Sequence, residues 1–401
     1  MKFHFLILLF SCLFLQQVHA QKDTTILDTT AARYSISLLT CGQGDELYSI
    51  FGHTAIRVKD NKAGTDFVYN YGIFNFADPD FYTKFTLGKL NYWVAADYYE
   101  DFLYAYKSEN RTVKEQELKL SPAQAESVYH FLKENAKEEN KYYKYDFVYD
   151  NCATRVRDVF TTALGPSFEY GTIMRLKKVS YRHALNQYML EKHWVRLGVN
   201  IALGSRVDSI MTDHSSMFLP DFLFEGMKGA VLDGQAVVGK TQDIFTAKPG
   251  SDSVGMNTPF WISFILLMIT LLVFFIPKLE KLKPVLSFVF LLFTGLLGCV
   301  LLFLWLFTAH QAFDNNWNIL WAFPFNLIIL FFMWKKSAFL KIYALAAISC
   351  LVVALLIHII GFQFLPMMEL LPFFGALLFV YMEMYRKGLE AAVLKWPKQE
   401  V

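Results

Sequence analysis

The sequence predicts an α+β extracytoplasmic domain followed by an all-α membrane bundle of about five transmembrane helices. Three observations lead to this prediction. Hydrophobic residues make up 54% of the 401 residues, which is too high for an ordinary soluble protein, and they are concentrated in the last third of the chain. The region before that reads as strands followed by amphipathic helices. The N-terminal 20 residues have the pattern of a signal peptide.

The signal peptide begins with a positive charge and ends in small residues. Lys2 precedes the apolar stretch 3–15, and Val18-His19-Ala20 suits a signal peptidase. Because the apolar run is short for a membrane span, cleavage is favoured over a retained anchor, so that the mature chain would begin at Gln21. The predicted organisation is a signal peptide at 1–20, a periplasmic domain at 31–227, a connector at 228–257, a transmembrane domain at 258–385 and a cytoplasmic tail at 386–401.

Five apolar segments approach the length needed to cross about 30 Å of hydrocarbon. They are predicted at 258–277, 285–307, 319–334, 341–362 and 364–384. The third is short and contains Pro324, so it could tilt, extend or be broken. Lys and Arg follow the first, third and fifth segments but not the second and fourth. Because basic loops stay in the cytoplasm, the large N-terminal domain is predicted to face the periplasm or the cell exterior.

Charge and cysteine content exclude several classes of function. The net charge is only +2, and most of the positive residues are explained by membrane topology, so no nucleic-acid partner is expected. Of five cysteines, only Cys41 and Cys152 fall in the mature outer domain. Neither a disulfide framework nor a zinc-binding spacing is present, and we expect no metal and no cofactor.

The outer domain is predicted to contain a small antiparallel sheet and later helices. The strands are predicted at 34–39, 54–58 and 67–71. A capping serine and a proline predict a helix from Ser121 to about Asn135. Further helices are expected at 181–192 and 214–227, and 194–204 could be a helix or a strand. Tyr and Phe crowd the segment 67–106, where most rings should pack in the core and a few could lie at the lipid interface.

Two short motifs carry the chemistry. His53 follows Gly52 directly before a predicted strand, and Cys152 follows Asn151 at the start of a predicted helix that Gly165-Pro166 ends. The helix N-terminus is expected to lower the pKa of the thiol. In papain-like enzymes cysteine leads the core helix and histidine lies on the facing sheet, so histidine coming first predicts a circularly permuted papain-like arrangement.

Other residues are predicted to complete the site, and other interpretations stay open. Asn70 is expected to orient the imidazole, with Asp66 as the competitor. The predicted substrate-binding residues are Tyr48, Asn151, Arg155 and His310. His310 could help to hold a lipid headgroup or belong to a plain polar loop. Cys152 could instead be a small core residue, or pair with Cys41 in a disulfide.

At these motifs the sequence resembles the Lnb family of lipoprotein N-acyltransferases, over nearly the whole mature chain. The matching runs are 39–48, Phe51-Gly52-His53, Tyr69-Asn70-Tyr71-Gly72, Asp150-Asn151-Cys152-Ala153-Thr154-Arg155, Phe218-Leu219-Pro220 and 316–321. The resemblance implies that His53 and Cys152 are the catalytic pair. It also implies a fold similar to the NlpC-type and lecithin:retinol acyltransferase group of permuted papain-like domains.

The resemblance implies an integral enzyme of the bacterial inner membrane with a phospholipid acyl donor and a lipoprotein acceptor. A fatty acyl chain would pass through a thioester on Cys152 to the N-terminal amine of a diacylglyceryl-cysteine lipoprotein. From the residues alone, the same pair could serve a hydrolase, either a phospholipase or a peptidoglycan peptidase. A non-enzymatic membrane scaffold is the third interpretation.

Overall fold

The computed structural model describes residues 32–174, 178–249, 255–335 and 337–394. It confirms the predicted fold class, because an α+β domain precedes a helical region with membrane-spanning helices. The predicted signal peptide lies outside the described residues, as does the end of the predicted cytoplasmic tail.

The core of the N-terminal domain is a seven-stranded antiparallel sheet. Its strands run in the order β10-β5-β1-β2-β3-β4-β6. They are β1 (Tyr34–Cys41), β2 (His53–Asp60), β3 (Thr65–Ile73), β4 (Asn91–Tyr98), β5 (Val113–Leu118), β6 (Tyr142–Lys144) and β10 (Val238–Phe245). A smaller sheet is formed by β7 (Phe168–Glu169), β8 (Val231–Leu232) and β9 (Gln235–Ala236).

Helices cover both faces of the large sheet. The helices of this domain are α1 (Phe81–Thr86), α2 (Tyr99–Ser108), α3 (Pro122–Asn135), α4 (Cys152–Leu164), α5 (Tyr181–Gln187), α6 (His193–Ala202), α7 (Asp213–Ser216) and α8 (Pro220–Lys228). Alternation in β1 sends Ile36 and Leu38 into the core under α3 and α4. The opposite side chains, including Leu39 and Cys41, pack with Phe102 of α2.

Three details differ from the sequence-based expectation. The predicted connector 228–257 contains β8, β9 and β10, and β10 pairs with β5 as an edge strand of the main sheet. The ambiguous segment 194–204 is largely helix, since α6 ends at Ala202. The single helix expected at 214–227 is divided into α7 and α8, because Pro220 lacks an amide hydrogen and therefore begins a new helix.

Among the residues that the structure describes, four helices of the C-terminal region are long and apolar enough to cross a membrane. They are α9 (Thr258–Phe275), α10 (Lys283–Phe307), α12 (Phe339–Ile359) and α13 (Met367–Leu394). Each corresponds to one of the predicted apolar segments.

The third predicted segment, 319–334, is not a continuous helix. A 3₁₀ turn at Trp317–Leu320 overlaps its start, and the four-residue α11 at Asn326–Ile329 follows, with Pro324 between them. The segment nevertheless crosses the bundle. Near its start, the Trp317 N–H donates to Gln363 Oε1, which lies just after the last residue of α12, Ile359. Its end comes shortly before Phe339, the first residue of α12, at the opposite side of the bundle. Within the described residues, the bundle therefore consists of four long helices and this one irregular crossing.

Surrounding helices stabilise this irregular crossing. The Asn326 side chain donates to Thr294 Oγ1 at 2.7 Å and to the Tyr381 hydroxyl at 2.9 Å, and it accepts a hydrogen bond from Tyr343 at 2.5 Å. A side chain at Gly298 would lie 2.0 Å from the Ala322 carbonyl oxygen, so only glycine permits this approach. Irregular backbone at membrane depth is tolerated when protein surrounds it in this way.

One end of the large sheet faces the membrane bundle. The backbone N–H of Ala309, just after α10, donates to the Leu87 carbonyl oxygen at 2.9 Å. The backbone N–H of Gln311 donates to Asp146 Oδ2 at 3.2 Å, close before α4. His53 begins β2 at this same end. Both sequence motifs are therefore held at the membrane-facing end of the domain.

Candidate active site

Cys152 is the first residue of α4, and the preceding residue builds the helix start. Asn151 Oδ1 accepts hydrogen bonds from the backbone N–H groups of Ala153 at 2.9 Å and Thr154 at 3.0 Å. Thr154 Oγ1 accepts in turn from the Asn151 N–H at 2.8 Å, which completes a capping box. This arrangement fixes the direction in which the Cys152 side chain leaves the helix.

Asn151 has no remaining hydrogen-bonding capacity for a substrate. Its Nδ2 donates to the carbonyl oxygens of Phe147 at 2.8 Å and Phe218 at 2.9 Å, while its Oδ1 accepts two bonds. An amide side chain has two donor hydrogens and two acceptor lone pairs, and all four are used here. The predicted substrate-binding role of Asn151 is therefore corrected to that of a buried helix cap.

His53 contacts Asn70, the residue expected to orient it. His53 Nε2 lies 2.6 Å from Asn70 Oδ1, and Asn70 Nδ2 faces Asp97 Oδ2 at 3.5 Å. Because a carboxylate accepts only, the amide nitrogen must point to Asp97 and the amide oxygen to His53. Nε2 then carries the imidazole hydrogen, and Nδ1 is left as the basic atom. The competitor Asp66 is bound instead to Arg57 at 2.6 Å.

A glycine opens the space between the cysteine and the histidine. Gly72 has a φ of +95° at a bulge between β3 and β4. A Cβ at this position would lie 3.7 Å from Cys152 Cβ, 3.9 Å from the Tyr143 hydroxyl and 4.0 Å from His53 Cε1. The structure therefore brings these three side chains to the border of one small gap, which we call the Gly72 gap.

Burial reverses the predicted direction of the thiol pKa. It raises the pKa of Cys152 to about 11, and nearby backbone N–H groups, that of Thr54 first, only partly oppose it. Burial also lowers the pKa of His53 to about 4, although the hydrogen bond to Asn70 acts in the opposite direction and raises it. Loss of hydration shifts a pKa by up to 3–5 units, more than a helix terminus recovers. At neutral pH the site therefore holds a neutral thiol and a neutral imidazole.

Three residues at the site were not singled out by sequence. The Tyr143 hydroxyl and Arg111 Nη2 are buried and have no hydrogen-bond partner within the described part of the chain. The Tyr106 ring stacks on His53 with centroids 6.2 Å apart. Tyr106 and Tyr143 resemble the many other aromatic residues of this region, and Arg111 precedes a strand without any motif. No local signal marks them, because long-range packing brings them to the site.

A cavity of about 500 Å³ adjoins the histidine side of the site. Its lining includes Tyr48, Asn70, Asp97, Tyr106 and Arg111. Arg111 Nε donates to the Gly42 carbonyl oxygen at 3.0 Å, so the guanidinium holds the loop before His53 against the sheet. Tyr48, a predicted substrate-binding residue, is exposed in that loop and lies on the cavity wall.

The remaining predicted substrate-binding residues lie at different distances from the gap. Arg155 is paired with both oxygens of Asp150 at 2.5 Å, and its guanidinium lies 4.3 Å from the centre of the Tyr143 ring. His310 lies at the junction with the membrane bundle, where its Nε2 donates to the Phe85 carbonyl oxygen at 2.9 Å. Arg155 therefore borders the site through Tyr143, whereas His310 connects the two parts of the chain.

The predicted alternatives for Cys152 can be compared with its surroundings. Cys41 and Cys152 are both free cysteines, and Cys41 is buried beneath Tyr106. Burial raises the pKa of the Cys41 thiol as well. Cys152, by contrast, is half-buried at the edge of the core and borders the Gly72 gap.

Two family models match the chain. The first describes the Lnb N-terminal periplasmic domain and matches residues 21–187. The second describes the Lnb transmembrane domain and matches residues 251–390. No match was found among curated proteins or among solved structures. The two matches follow each other in the order in which the structure places the α+β domain and the membrane bundle.

Proposed function

Because this chain belongs to the Lnb family of membrane enzymes that modify lipoproteins, we propose that it is a thiol-dependent N-acyltransferase. It moves a fatty acyl chain from a phospholipid to the N-terminal amine of a diacylglyceryl-cysteine lipoprotein, through a thioester on Cys152. The protein lies in the bacterial inner membrane with its catalytic domain in the periplasm. The observation that carries the proposal is the Gly72 gap, which Cys152 and His53 border together at the membrane-facing end of the sheet.

In the first half-reaction the thiol attacks the donor ester. His53 Nδ1 takes the thiol proton as the sulfur of Cys152 bonds to the ester carbonyl carbon. The tetrahedral intermediate then breaks its carbon–oxygen ester bond, and the leaving lysophospholipid oxygen takes the proton from His53. Because both groups are neutral at rest, His53 acts as a general base during attack rather than as half of a preformed ion pair.

In the second half-reaction the lipoprotein amine replaces the thiol. The neutral amine attacks the thioester carbonyl carbon, His53 takes an amine proton, and the carbon–sulfur bond breaks with return of that proton to Cys152. Asn70 keeps Nδ1 of His53 facing the reaction, and Asp97 fixes the orientation of the Asn70 amide. Asp97 is thus a positioning residue, because it acts through Asn70.

Several donors are available for the oxyanion that forms in both steps. The backbone N–H groups of Thr54 and Cys152 face the sulfur, whereas that of Ala153 is already bonded to Asn151 Oδ1. The unpaired Tyr143 hydroxyl borders the same gap, and burial raises its pKa well above the usual value, so it stays protonated and able to donate. Donors held in a water-poor site stabilise a developing charge without reorganisation.

The membrane bundle supports a transferase over a hydrolase. Both substrates are lipids, and the site lies at the end of the sheet that contacts the loop after α10. A water-poor cleft at the bilayer surface favours aminolysis of the thioester over its hydrolysis. Tyr48, Arg155 and His310 are proposed to line the approach of the two lipids.

The deciding experiment measures lipoprotein N-termini. In a host strain that lacks other N-acyltransferases, expression of this protein is expected to convert diacylated lipoproteins into N-acylated ones. Mass spectrometry of an N-terminal lipopeptide detects the added acyl chain. Unchanged lipopeptides, despite membrane insertion of the protein at a level detectable by immunoblot, would contradict the proposal. Release of free fatty acid without N-acylation would favour the hydrolase instead.

Tyr143→Phe is expected to lower kcat about tenfold, since a neutral hydrogen bond lost only in the transition state costs about 1.4 kcal/mol. The ring and its contact with Arg155 are retained, so KM for the donor should change little. The matched control is Tyr170→Phe, which removes a half-buried hydroxyl that donates to the Arg157 carbonyl oxygen at 2.9 Å, five residues further along α4 than Cys152. Equal loss in both variants would exclude a specific role of Tyr143.

A further inference from the structure

A group of aromatic side chains extends from the site to the membrane junction. Its members are Phe74, Phe76, Phe81, Tyr82 and Phe85, which we call the aromatic platform. Phe81 is buried and packs against all the others, with ring centroids between 5.0 and 6.0 Å apart. The platform begins two residues after Gly72, and it includes the short helix α1.

The outer surface of the platform is exposed to a degree that is unusual for such side chains. Phe76 is 63% exposed, Tyr82 is 80% exposed and Phe85 is 49% exposed. Contiguous exposed apolar surface of this kind marks a site of interaction with a protein, a ligand or a membrane. The position of the platform decides between these partners.

Direct contacts hold the platform at the end of a membrane helix. The Phe85 carbonyl oxygen accepts from His310 Nε2, and the Leu87 carbonyl oxygen accepts from the Ala309 N–H, each at 2.9 Å. A Cβ at Gly88 (φ +67°) would lie 3.2 Å from the His310 backbone nitrogen. Ala309 and His310 follow α10 by only two and three residues. The platform is therefore at the level where this helix leaves the hydrocarbon.

The apolar surface of the helix continues into the platform. Leu306 and Phe307, the last residues of α10, are 61% and 68% exposed, as expected for side chains that face lipid. The centroids of the Phe85 and His310 rings are 6.4 Å apart, and those of the His310 and Phe313 rings are 5.1 Å apart. Aromatic rings are favoured at the boundary between hydrocarbon and headgroups.

The charges around the platform are balanced. Lys84 pairs with Asp78 at 2.6 Å, and Lys89 and Asp80 add one charge of each sign. Lys144, which donates to the Lys89 carbonyl oxygen, is offset by Asp146, which accepts from the Gln311 N–H at the same junction. A surface that recognised anionic lipid by electrostatics would carry an excess of Lys and Arg. The apolar side chains therefore dominate, and a neutral phospholipid surface is sufficient.

We propose that the aromatic platform inserts into the headgroup region of the outer leaflet and forms the route by which phospholipid reaches the Gly72 gap. Insertion of the platform does not depend on the chemistry of the site. The delivery of a donor lipid rests on the proposed acyl transfer. The two parts are therefore tested by separate measurements.

Insertion is tested with a fluorescent label on the full chain. Tyr82→Cys is introduced in a background with Cys152, Cys299 and Cys350 replaced by alanine, labelled with an environment-sensitive dye and reconstituted in phosphatidylcholine nanodiscs. Ala63→Cys is the matched control, because residue 63 is exposed in the turn at the opposite end of the sheet. The label at position 82 is expected to shift to the blue and to be quenched by lipid carrying a shallow doxyl group.

The outcomes separate lipid from other partners. A label at position 82 as accessible to water as the one at position 63 overturns the proposal. A blue shift without doxyl quenching also overturns it, because the platform would then be covered by protein. Quenching that appears only when anionic lipid is added would contradict the argument from charge balance.

Delivery is tested by kinetics with two forms of the donor. Tyr82→Asp is expected to raise KM for phospholipid in vesicles about fivefold, at unchanged kcat, because one favourable ring contact with the interface is lost. KM for a short-chain phospholipid dissolved as monomers should not change. Tyr104→Asp serves as the control, because Tyr104 is a similarly exposed tyrosine on α2, outside the platform, and the KM of this variant for phospholipid in vesicles should stay unchanged. If the wild-type protein transfers no acyl chain, the proposed function fails, while the label at position 82 still decides insertion.

Discussion

Replacement of Cys152 by alanine is expected to abolish N-acylation, with a loss of at least about 10³-fold in kcat/KM. The sulfur is the only atom at the Gly72 gap that can form the thioester, so the variant has no alternative covalent route. The side chain is at the first position of α4, whose cap is made by Asn151 and Thr154, so the start of the helix does not depend on it. In the wild type, incubation with phospholipid alone should give a protein heavier by one acyl chain, and hydroxylamine should remove that mass.

Cys299→Ala provides the control for this experiment. Cys299 is an exposed cysteine on α10, away from the outer domain, and its loss should leave both transfer and acyl-enzyme formation unchanged. Full activity of the Cys152→Ala protein would reject the proposed mechanism. Accumulation of the acyl group on another cysteine would also reject the proposed mechanism.

Gly72→Ala is expected to lower activity by about 10²-fold, because it fills the space in which the reacting atoms must meet and small displacements there cost about that factor. The added methyl group would lie within 4.0 Å of Cys152, His53 and Tyr143 at once. The positive φ of +95° also strains any residue other than glycine, by roughly 1–2 kcal/mol. Activity in vesicles and thermal stability should be measured on the same preparation.

Gly64→Ala separates strain from obstruction. Gly64 lies in the turn between β2 and β3 with a φ of +70°, and within the described chain nothing lies within 4 Å of its Cβ position. This variant should lose a comparable amount of stability while keeping its activity. Similar losses of activity in both variants would mean that strain in the sheet, and not the closed gap, explains the effect of Gly72→Ala.

The pKa values at the site have a consequence for the resting protein. With the pKa of Cys152 raised to about 11 and that of His53 lowered to about 4, the thiolate is a minor species at neutral pH. A neutral thiol is a poor nucleophile until a base takes its proton. We therefore expect Cys152 to react slowly with adventitious electrophiles, and the proton transfer to His53 to be part of the attack on the donor ester.

The sequence by itself determined the elements that local interactions specify. The capping asparagine and the Gly165-Pro166 pair set both ends of α4, because a cap and a helix stop act within one turn. The lengths of the apolar segments indicated the membrane region, because hydrocarbon thickness acts on each segment separately. The distribution of Lys and Arg predicted which loops face the cytoplasm, because the charge of each loop acts on its own. The residues Cys152, His53 and Asn70 could also be chosen from short motifs.

Only the tertiary structure decided what depends on neighbours distant in the chain. It placed Asn70 rather than Asp66 beside His53, since Arg57 binds Asp66. It broke the third crossing, where Asn326 finds partners on three other membrane helices. It raised the thiol pKa, because loss of hydration outweighs the helix terminus that the sequence reveals. Burial, and pairing between residues of different strands and helices, leave no periodic or short-range signal, so the fold alone sets them.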